Sequence, residues 1–442
     1  MRLTLPPTTV AQAFFHPLAG LAAASPDART CPDFSDADRL HLGVQRVLET
    51  SASGRGFLQE HGVRFAHTPG HSNYFAALHS PRRRDVIRAV NLALVAAANP
   101  TLHDRLAQIP ELADYECLAQ DQHWHKAAAH DPRHDATKMA VGHFYSLNLR
   151  THTLRHLATG EGLHEHDMSV LKRLKLKGLR QGVPQGKRVL IVYDKAGIDF
   201  DYWKRCRHEC AVYFLNRVKE NMVFDVIANV PWAAADPCNH GVTADRRVRT
   251  REGHLLRIIA YTDPKTGEGY EFLTNELDLP AGVLVELYRR RWEAEKVFDE
   301  SKNKLREKKA WATSLVAKEA QAQLIAITHN LLLLYEQVLG IQHGVTHQAE
   351  DQRRARRTQV AAQKCAAAGQ LLSTLVLQAW RTTQRSVKFV RWVRQSLHGQ
   401  AAEATAVLRL RVLYATLYLP FLYTLPSRLR PPPEGRMRRT ED

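Results

Sequence analysis

The stretch YRRRWEAEKVFDESK, from Tyr288 to Lys302, combines helix-forming residues with a high density of charge. In a helix that turns about 100° per residue, offsets of 3, 7 and 14 place Arg291, Glu295 and Lys302 within roughly 60° of Tyr288. A polar face of this kind is typical either of a solvated helix surface or of a site that holds charged groups. The spacing alone fits both interpretations.

An apolar stripe runs along the same predicted helix, beside the polar face. Its members, in order along the chain, are Leu287, Ala294, Phe298 and Leu305. Such a stripe packs against a core. The polar face would then lie at the edge of that core, where a carboxylate can be held rigidly.

The charge of the chain indicates a polyanionic partner. There are 62 Lys and Arg residues against 45 Asp and Glu residues, a formal net charge of +17. The excess is concentrated, because residues 351–400 hold ten Lys or Arg residues and one acid, Asp351. This favours binding to nucleic acid first and to an anionic membrane surface second. A basic surface that serves only solubility is the weaker alternative.

Length and composition predict a multidomain protein of a reducing compartment. A chain of 442 residues predicts about two to four domains. Its six cysteines do not make a disulfide framework at this length, so we expect a cytoplasmic location. The N-terminal apolar stretch contains Gln12, His16 and Pro17, which argues against a signal peptide. The apolar segments at residues 324–339 and 413–426 predict core segments, since both are interrupted by polar residues or proline.

The central part of the chain predicts alternating strands and helices. Strands are expected in YECLAQD and AVGHFYSLNLRTHTL, with LRHLA as a shorter candidate, and a helix in EHDMSVLKRLKLKGL. The run RVLIVYD has five apolar residues, Val189 to Tyr193, and predicts a buried strand that ends at Asp194. The helix candidate DFDYWKRCRHEC and the strand AVYFLNRV follow. The predicted order is therefore β-β-β-α-β-α-β.

Residues from about 225 to 280 have a different pattern. RRVRTREGHLLRIIAYTD and EGYEFLTN alternate as antiparallel strands do, with a hairpin at Lys265–Gly267. Pro280 then begins a long helical stretch. The chain is helical and basic from about residue 345 onwards.

The N-terminal residues up to about 110 predict helices. One of them begins at the cap residue Ser80 and continues as an apolar-periodic run. Its first turn carries Arg82, Arg83 and Arg84, where the helix dipole disfavours positive charge. These three residues hint at phosphate contacts, and a plain solvated turn is an equal alternative.

Four histidines, His123, His125, His130 and His134, lie close together in HWHKAAAHDPRHD. A zinc cluster is one interpretation. However, the chain has 23 histidines scattered throughout. A strand edge with surface histidines is therefore the favoured interpretation.

Residue identity separates the two interpretations of the charged helix. The pattern Tyr-x2-Arg-x3-Glu-x6-Lys, formed by Tyr288, Arg291, Glu295 and Lys302, resembles the signature of the DDE transposases of bacterial insertion sequences, in the branch known as YREK. The segments EFLTN and DLPAGVLVELYRRRW stand where that branch usually has them. The resemblance extends over about residues 115 to 340.

This resemblance implies an α/β fold: a ribonuclease-H-like core with an inserted antiparallel β domain, flanked by helical N- and C-terminal regions. It also implies three carboxylates that hold two divalent metal ions, Mg²⁺ with Mn²⁺ as a substitute, for in-line displacement at phosphodiester bonds. Matched to the family pattern, they are Asp121 in the first strand, Asp194 at the end of a later strand and Glu295 in the signature helix.

The carboxylate assignments leave alternatives open. Gln122 stands where the family more often has Gly, Ser or Thr, so Asp131 and Asp135 remain alternatives to Asp121. Asp194 could instead cap the following helix, although Asp199 is the better candidate for that cap.

The resemblance also gives roles to other residues. Tyr288, Arg291 and Lys302 are implied to contact phosphates near the transposon end, Arg as a bidentate donor and Lys as a point charge. In related enzymes a Trp of the insertion stacks on a flipped base. Trp232 lies in the insertion here, and a core Trp is the favoured interpretation.

The implied activity is that of a DNA transposase that moves an insertion sequence by cut and paste. Its partners would be double-stranded DNA at the transposon ends and at the target, bound by a homodimer at the nucleoid. One alternative is a decayed or domesticated transposase that only binds DNA, and the three carboxylates argue against it. Another is a nuclease of the same fold without strand transfer, and the Tyr, Arg and Lys set argues against that.

These predictions divide the chain into six parts. In order, they are a helical DNA-binding region at residues 1–110, the first part of the catalytic core at 111–224, the β-strand insertion at 225–280, the helical part of the core at 281–342, a helical basic domain at 343–428 and a disordered tail at 429–442.

Overall fold

The computed structural model describes the greater part of the chain. The described residues are 2–29, 34–49, 53–64, 68–128, 140–160, 165–194, 197–264, 266–305, 307, 309–343, 348–369, 387–397 and 406–409. Asp131, Asp135, His130 and His134, the apolar segment at 413–426 and the predicted tail at 429–442 lie outside them.

Helices make up most of the N-terminal part, as predicted. They follow the short strand β1 (Arg2–Leu5) and are α1 (Pro7–Phe15), α2 (Asp36–Leu48), α3 (Gly54–Arg64), α4 (His71–Leu78) and α5 (Pro81–Ala98). Ser80 caps α5, because its hydroxyl accepts a hydrogen bond from the backbone N–H of Arg83 at 3.4 Å.

The arginines in the first turn of α5 are engaged with acids. Arg82 binds Asp36 through two hydrogen bonds, of 2.8 and 3.0 Å. Arg84 pairs with Glu319 at 2.8 Å. Both guanidinium groups have carboxylate partners in this structure, and phosphate contacts by this turn stay a prediction.

A mixed sheet lies at the centre of the described part of the chain. Its first five strands are β2 (Tyr115–Lys126), β3 (Ala140–Asn148), β4 (Leu154–Thr159), β5 (Arg188–Val192) and β6 (Val212–Arg217). Between them lie α6 (Asp167–Arg173), α7 (Leu176–Leu179) and α8 (Phe200–Cys210). β3 is antiparallel to β2 and β4, whereas β5 is parallel to β2 and β6. The predicted order β-β-β-α-β-α-β is present. The mixed α/β class is confirmed, and the ribonuclease-H-like type stays a prediction.

The strands predicted as an insertion extend the same sheet. They are β7 (Asp225–Asn229), β8 (Val242–Arg249), β9 (Leu255–Thr262) and β10 (Gly269–Thr274). The full strand order is β4-β3-β2-β5-β6-β10-β9-β8-β7, and β10 joins β6 in antiparallel pairing. The predicted hairpin joins β9 to β10, where the N–H of Gly267 donates to the carbonyl of Asp263 at 2.8 Å. These strands are antiparallel, as predicted, and they are continuous with the sheet of the core.

The C-terminal half is mainly helical. Its elements are α9 (Ala281–Arg290), α10 (Trp292–Asp299), a π-helix (Glu300–Lys304), α11 (Leu315–His343), α12 (Gln348–Ala367), α13 (Val387–Leu397) and the strand β11 (Ala406–Arg409), which pairs with β1.

Different helices cover the two faces of the sheet. Cys117 and Ala119 of β2 share one core with residues of α9, α10 and α11. Leu118 of the same strand and Phe144 of β3 share the other core with α6, α7 and α8. A third core joins α1, α2 and α5 to α11 and α13. Because α11 contributes to two cores, it connects the N-terminal helices to the sheet.

By length and composition, α11 could cross a membrane. However, 72% of its most apolar 18-residue stretch is buried inside the structure. This burial is what a core helix shows, in agreement with the prediction for residues 324–339.

Candidate active site

Asp121 lies in the middle of β2, where the sequence predicts it. Its partner in the antiparallel pairing is Tyr145 of β3. Side chains alternate along a strand, so Asp121 is on the same face as Cys117 and Ala119, the face that α9 and α10 cover. The side chain is 18% exposed. The acid is therefore at the rim of the core, beneath the signature helix.

Asp194 follows the carboxyl end of β5 and is exposed. β5 runs parallel to β2 with Val192 opposite Ala119. Continuing this register by two residues in each strand puts Asp194 opposite Asp121. Neighbouring strands are about 4.8 Å apart, so the sheet itself brings the two aspartates together.

The cap of α8 is Asp199 rather than Asp194, as predicted. The side chain of Asp199 accepts a hydrogen bond from the backbone N–H of Tyr202 at 2.8 Å. Asp194 is instead followed by a turn, in which the N–H of Gly197 donates to its carbonyl at 3.0 Å. Helix capping is therefore not the role of the Asp194 carboxylate.

Arg291 connects the three acids. Its Nη1 lies 3.1 Å from Oδ2 of Asp121, and its Nη2 lies 2.8 Å from Oε1 of Glu295. Burial alone lowers the pKa of Arg291. The charges of Asp121, Tyr288, Glu295 and Asp194 outweigh burial and raise that pKa above its ordinary value. Two acids from separate elements thus contact one guanidinium group, and the charge of Asp194 also acts on it.

The signature residues do not lie on one uninterrupted α-helix. α9 ends at Arg290, α10 begins at Trp292, and the N–H of Arg291 donates to the carbonyl of Tyr288 at 3.1 Å, a tight i to i−3 turn. The π-helix after α10 has a wider turn. The uniform rotation of about 100° per residue therefore does not extend from Tyr288 to Lys302, and the single long helix is wrong. The apolar stripe is confirmed, since all four of its members are buried: Leu287, Ala294, Phe298 and Leu305.

Tyr288 and Lys302 have opposite environments. Tyr288 is 6% exposed, and its ring packs against Phe272 with centroids 4.8 Å apart. Burial raises the pKa of Tyr288 to about 12, although the neighbouring Arg291 opposes this. Lys302 is exposed. The contacts of these residues with DNA stay a prediction, and Lys302 is the one whose ammonium group reaches solvent.

A buried ionic network anchors the helix on its other side. Arg290 is fully buried, with its Nε 3.4 Å from Oε1 of Glu286 and its Nη1 3.9 Å from Oε1 of Glu293. Glu293 also pairs with His152, which precedes β4. Removing one partner of such a network leaves an uncompensated buried charge. The network therefore fixes α9 and α10 against the sheet, and with them the position of Glu295.

The histidines of β2 are buried, so the interpretation as surface residues is wrong. His123 and His125 are 2% and 0% exposed. His123 stacks on Phe298 of α10 with centroids 5.1 Å apart. His143 and His156 continue the layer on β3 and β4. Zinc binding by the four predicted histidines is not supported among the described residues, because no group of three or more His, Cys, Asp or Glu side chains there could hold a metal ion.

Two tryptophans lie near or within the predicted DNA-binding elements. Trp292 is 58% exposed, and the guanidinium of Arg291 lies 5.8 Å from its ring centroid. Its exposure beside Arg291 was not predicted, although its position directly after Arg291 in the sequence was a signal. Trp232 is half-buried in the connection between β7 and β8.

The donor chemistry of Asp121, Asp194 and Glu295 suits a hard divalent cation, because all three offer carboxylate oxygens. Two of them, Asp121 and Glu295, already contact one cation, the guanidinium of Arg291, which lies between them. As placed among the described residues, the three acids do not form a group that could hold a metal ion. They therefore suit a divalent metal by charge and by donor type, and a metal would have to displace Arg291.

Residues 119–331 match the family model of the transposase DDE domain. This match supports a DDE transposase. Domains of this family generally use divalent metal ions, and the family implies a DNA-cleaving enzyme. The matched segment contains Asp121, Asp194 and the whole signature from Tyr288 to Lys302.

Among solved structures, the chain is similar to piggyBac transposase in a synaptic complex with hairpin DNA. The identity is 11%, and the alignment covers 98% of this chain and 87% of that chain with a TM-score of 0.35. A TM-score this low does not establish a common fold, so no conclusion about the site follows from it. None of the curated proteins is similar enough in sequence to match the chain.

Proposed function

We propose that the protein is the DNA transposase of a bacterial insertion sequence, of the YREK branch. It would cut DNA at terminal inverted repeats and join the released ends to a target. The observation that carries the proposal is the pairing of Arg291 with Asp121 and Glu295, which come from elements far apart in sequence, with Asp194 beside Asp121 in the register of the sheet. The DDE match over residues 119–331 supports the same activity.

Asp121, Asp194 and Glu295 would hold the metal. When bound, a pair of divalent ions such as Mg²⁺ or Mn²⁺ clamps the attacking and leaving oxygens of a phosphodiester displacement. The chain contributes rigidity, because Asp121 belongs to a paired strand and Glu295 to a helix packed on the same core. Carboxylates that are held in place before the reaction need no reorganisation during it.

The neighbouring cations would place the DNA. Arg291 has a planar guanidinium that suits bidentate binding to a phosphate, and Lys302 offers an exposed point charge. Tyr288 is buried beside Arg291 and would support the direction of that side chain. Water would be the nucleophile in cutting, and a 3′-hydroxyl the nucleophile in joining.

The partner in this proposal is double-stranded DNA, bound by a homodimer at the nucleoid of the cytoplasm. The formal charge of +17 supports a polyanionic partner. The basic helix α12 adds positive charge, and Arg356 on it is exposed. The N-terminal helices would add further DNA contacts.

The test compares Glu295→Gln with wild type on duplex DNA that carries the ends flanking the gene. Glutamine keeps the size and helix propensity of glutamate but removes one anionic metal ligand. We expect metal-dependent nicking to be lost while binding in a gel shift stays close to the wild-type level. Binding could even become tighter, since one negative charge near the phosphates is removed.

Asp299→Asn is the matched control. It makes the same acid-to-amide change one turn further along α10, on a partly exposed residue. It should nick at the wild-type rate. If Glu295→Gln nicks as fast as this control, the signature helix is a charged surface and the proposed function is wrong.

A further inference from the structure

The position of Arg291 is unusual for a residue that contacts DNA. Its side chain is 9% exposed, and its two terminal nitrogens are engaged with Asp121 and Glu295 at 3.1 and 2.8 Å. In this arrangement the guanidinium faces the acids of the chain itself. A DNA phosphate and a divalent metal would both have to change these contacts.

A second arginine shows what a purely structural ion pair looks like in this protein. Arg257 donates to Asp245 through Nε at 2.8 Å and Nη2 at 2.5 Å, and to the carbonyl of Leu279 through Nη1 at 2.6 Å. Its side chain is 4% exposed and that of Asp245 is 0% exposed. Every nitrogen of this guanidinium has a partner in a dry environment, which makes exchange costly.

Arg291 differs from Arg257 in both respects. Its Nε is buried and has no hydrogen-bond partner in the described part of the chain. Its acidic partners are more accessible, with side chains 18% exposed for Asp121 and 34% exposed for Glu295. The exposed ring of Trp292, 5.8 Å from the guanidinium, offers a second position for the cation nearer to solvent. The contacts of Arg291 are therefore open to exchange.

We propose that Arg291 is an exchangeable internal counter-ion of the acidic site. In the protein without DNA, it neutralises Asp121 and Glu295 and competes with divalent metal. A phosphate at the DNA end draws the guanidinium away, and the acids then bind metal more tightly. The inference rests on the proposed function, and it adds a coupling between DNA binding and metal binding at the same site.

The coupling has a physical consequence in both directions. If DNA raises the affinity for metal by some factor, metal must raise the affinity for DNA by the same factor. The free protein would then bind metal weakly and become loaded mainly on DNA. Such a protein would cut little DNA away from the ends that withdraw Arg291.

Isothermal titration calorimetry with Mn²⁺ in the absence of DNA tests the proposal. One variant is Arg291→Met, which keeps the aliphatic stem but removes the charge. The other is Glu295→Gln, which shows how much of the measured heat comes from Mn²⁺ binding at this site. The control Arg246→Ala removes an equally charged residue from a surface pair with Glu271, 3.0 Å long, on β8. We expect Arg291→Met to bind Mn²⁺ roughly tenfold more tightly than wild type, because a competing positive charge is gone. Arg246→Ala should match wild type.

A short duplex of the gene's own end separates the effects further. Added to wild type, it should tighten Mn²⁺ binding, whereas Arg291→Met should show little further change. Suppose that wild type and Arg291→Met bind Mn²⁺ with equal affinity, and that Glu295→Gln weakens binding in both. This result would overturn the role of Arg291 as a counter-ion and leave the proposed function intact. If Glu295→Gln changes Mn²⁺ affinity neither in wild type nor in Arg291→Met, the acids are not a metal site. The proposed function then fails as well.

If Arg291→Met does not fold, the wild-type protein alone can test the proposal. Mn²⁺ affinity is then compared with and without the end duplex. Tightening by the duplex supports the counter-ion. An unchanged affinity overturns it.

Discussion

In the proposed function, Arg291 is the residue that links the acids of the site to the DNA. It touches Asp121 and Glu295 directly and carries the guanidinium that suits a phosphate. Its neighbours Arg289 and Arg290 differ from it in environment. Arg290 is fully buried against Glu286 and Glu293, and Arg289 pairs with Glu286 at 3.7 Å. Of the three consecutive arginines, only Arg291 contacts the predicted catalytic acids within the described part of the chain.

Replacing Arg291 by alanine should weaken the complex with end DNA. The expected loss is about 1.5–3 kcal/mol, the usual contribution of one hydrogen-bonding group that is charged. Gel-shift titration at fixed ionic strength measures it. Arg246→Ala, a surface change, should lose less than about 1 kcal/mol. Equal losses for the two variants would mean that Arg291 makes no particular contact with DNA.

The sequence identified single residues where a pattern existed. Asp121 in mid-strand and Asp194 after a buried strand were visible from periodicity and resemblance, and Glu295 from the signature. The pairing of Arg291 with the acids was not visible, because side-chain direction depends on the break between α9 and α10. The burial of His123 and His125 was also missed, since a period of two does not say which face of a strand is covered.

At the scale of elements, a layer of histidines lies on the face of the sheet that α10 and α11 cover, with His123 against Phe298 and His156 against Gln323. His125 lies between His123 and His143, with ring centroids 4.9 and 4.8 Å apart, and His156 follows 5.8 Å from His143. Burial lowers the pKa of His125 and of His156 to about 3, with nearby positive charges adding to the effect. Both imidazoles are therefore neutral in the folded protein at pH values where the unfolded chain binds a proton.

Acidification should lower the free energy of unfolding through these residues. An unfolded histidine has a pKa of about 6.5, so stability is fully present above that pH and is lost progressively as pH falls toward the folded value near 3. At pH 5 the loss amounts to about 2 kcal/mol for one such histidine. Urea unfolding of wild type and His125→Phe at pH 7 and pH 5 measures it, and the variant should lose about 2 kcal/mol less.

Two controls test whether the pH dependence of stability comes from His125. Burial raises the pKa of Glu307 to about 7, so that acid shifts stability in the opposite direction, but it does so equally in both proteins and cancels in the difference. His208→Phe, at an exposed position of α8, should retain the wild-type pH dependence. The same slope for His125→Phe and wild type would show that His125 does not titrate on unfolding.

The elements themselves were largely predictable. The order of strands and helices along the chain, the hairpin after β9 and the apolar stripe all follow from short-range patterns. The π-helix and the break at Arg291 were not predictable. A pattern of hydrophobic residues does not distinguish α-helical, 3-10 and π-helical turns. Nor could periodicity show that β10 pairs with β6, since this contact joins residues distant in sequence.

At the scale of the whole molecule, α11 connects the N-terminal helices to the catalytic sheet. Leu324 and Leu331 of α11 share a core with α2 and α5, whereas Ala322 and Ala326 share a core with β2 and α9. Asn330 of the same helix donates to Asn91 of α5 at 3.0 Å and accepts from the backbone N–H of Leu154 at 2.8 Å. The domain limits that composition predicts stay a prediction. They separate parts of the chain that share α11 in their cores.

In the proposed function, this connection would give a physical route between DNA binding by the N-terminal helices and the acids of the site. DNA held by the N-terminal helices would be fixed relative to the acids through α11 rather than through a loose linker. Composition alone could not reveal it, because the interrupted apolar run predicts a core segment but does not show which helices and strands it packs against.

The most direct measurement is a joining assay with the wild-type protein. A labelled duplex that carries the gene's flanking inverted repeat is incubated with target plasmid, with Mg²⁺ or with EDTA, and the products are resolved on a denaturing gel. The account predicts nicks at the repeat boundary and covalent joining of the labelled end to the plasmid, both dependent on Mg²⁺. Binding without nicking would contradict it and indicate a protein that only binds DNA, and nicking without joining would indicate a nuclease.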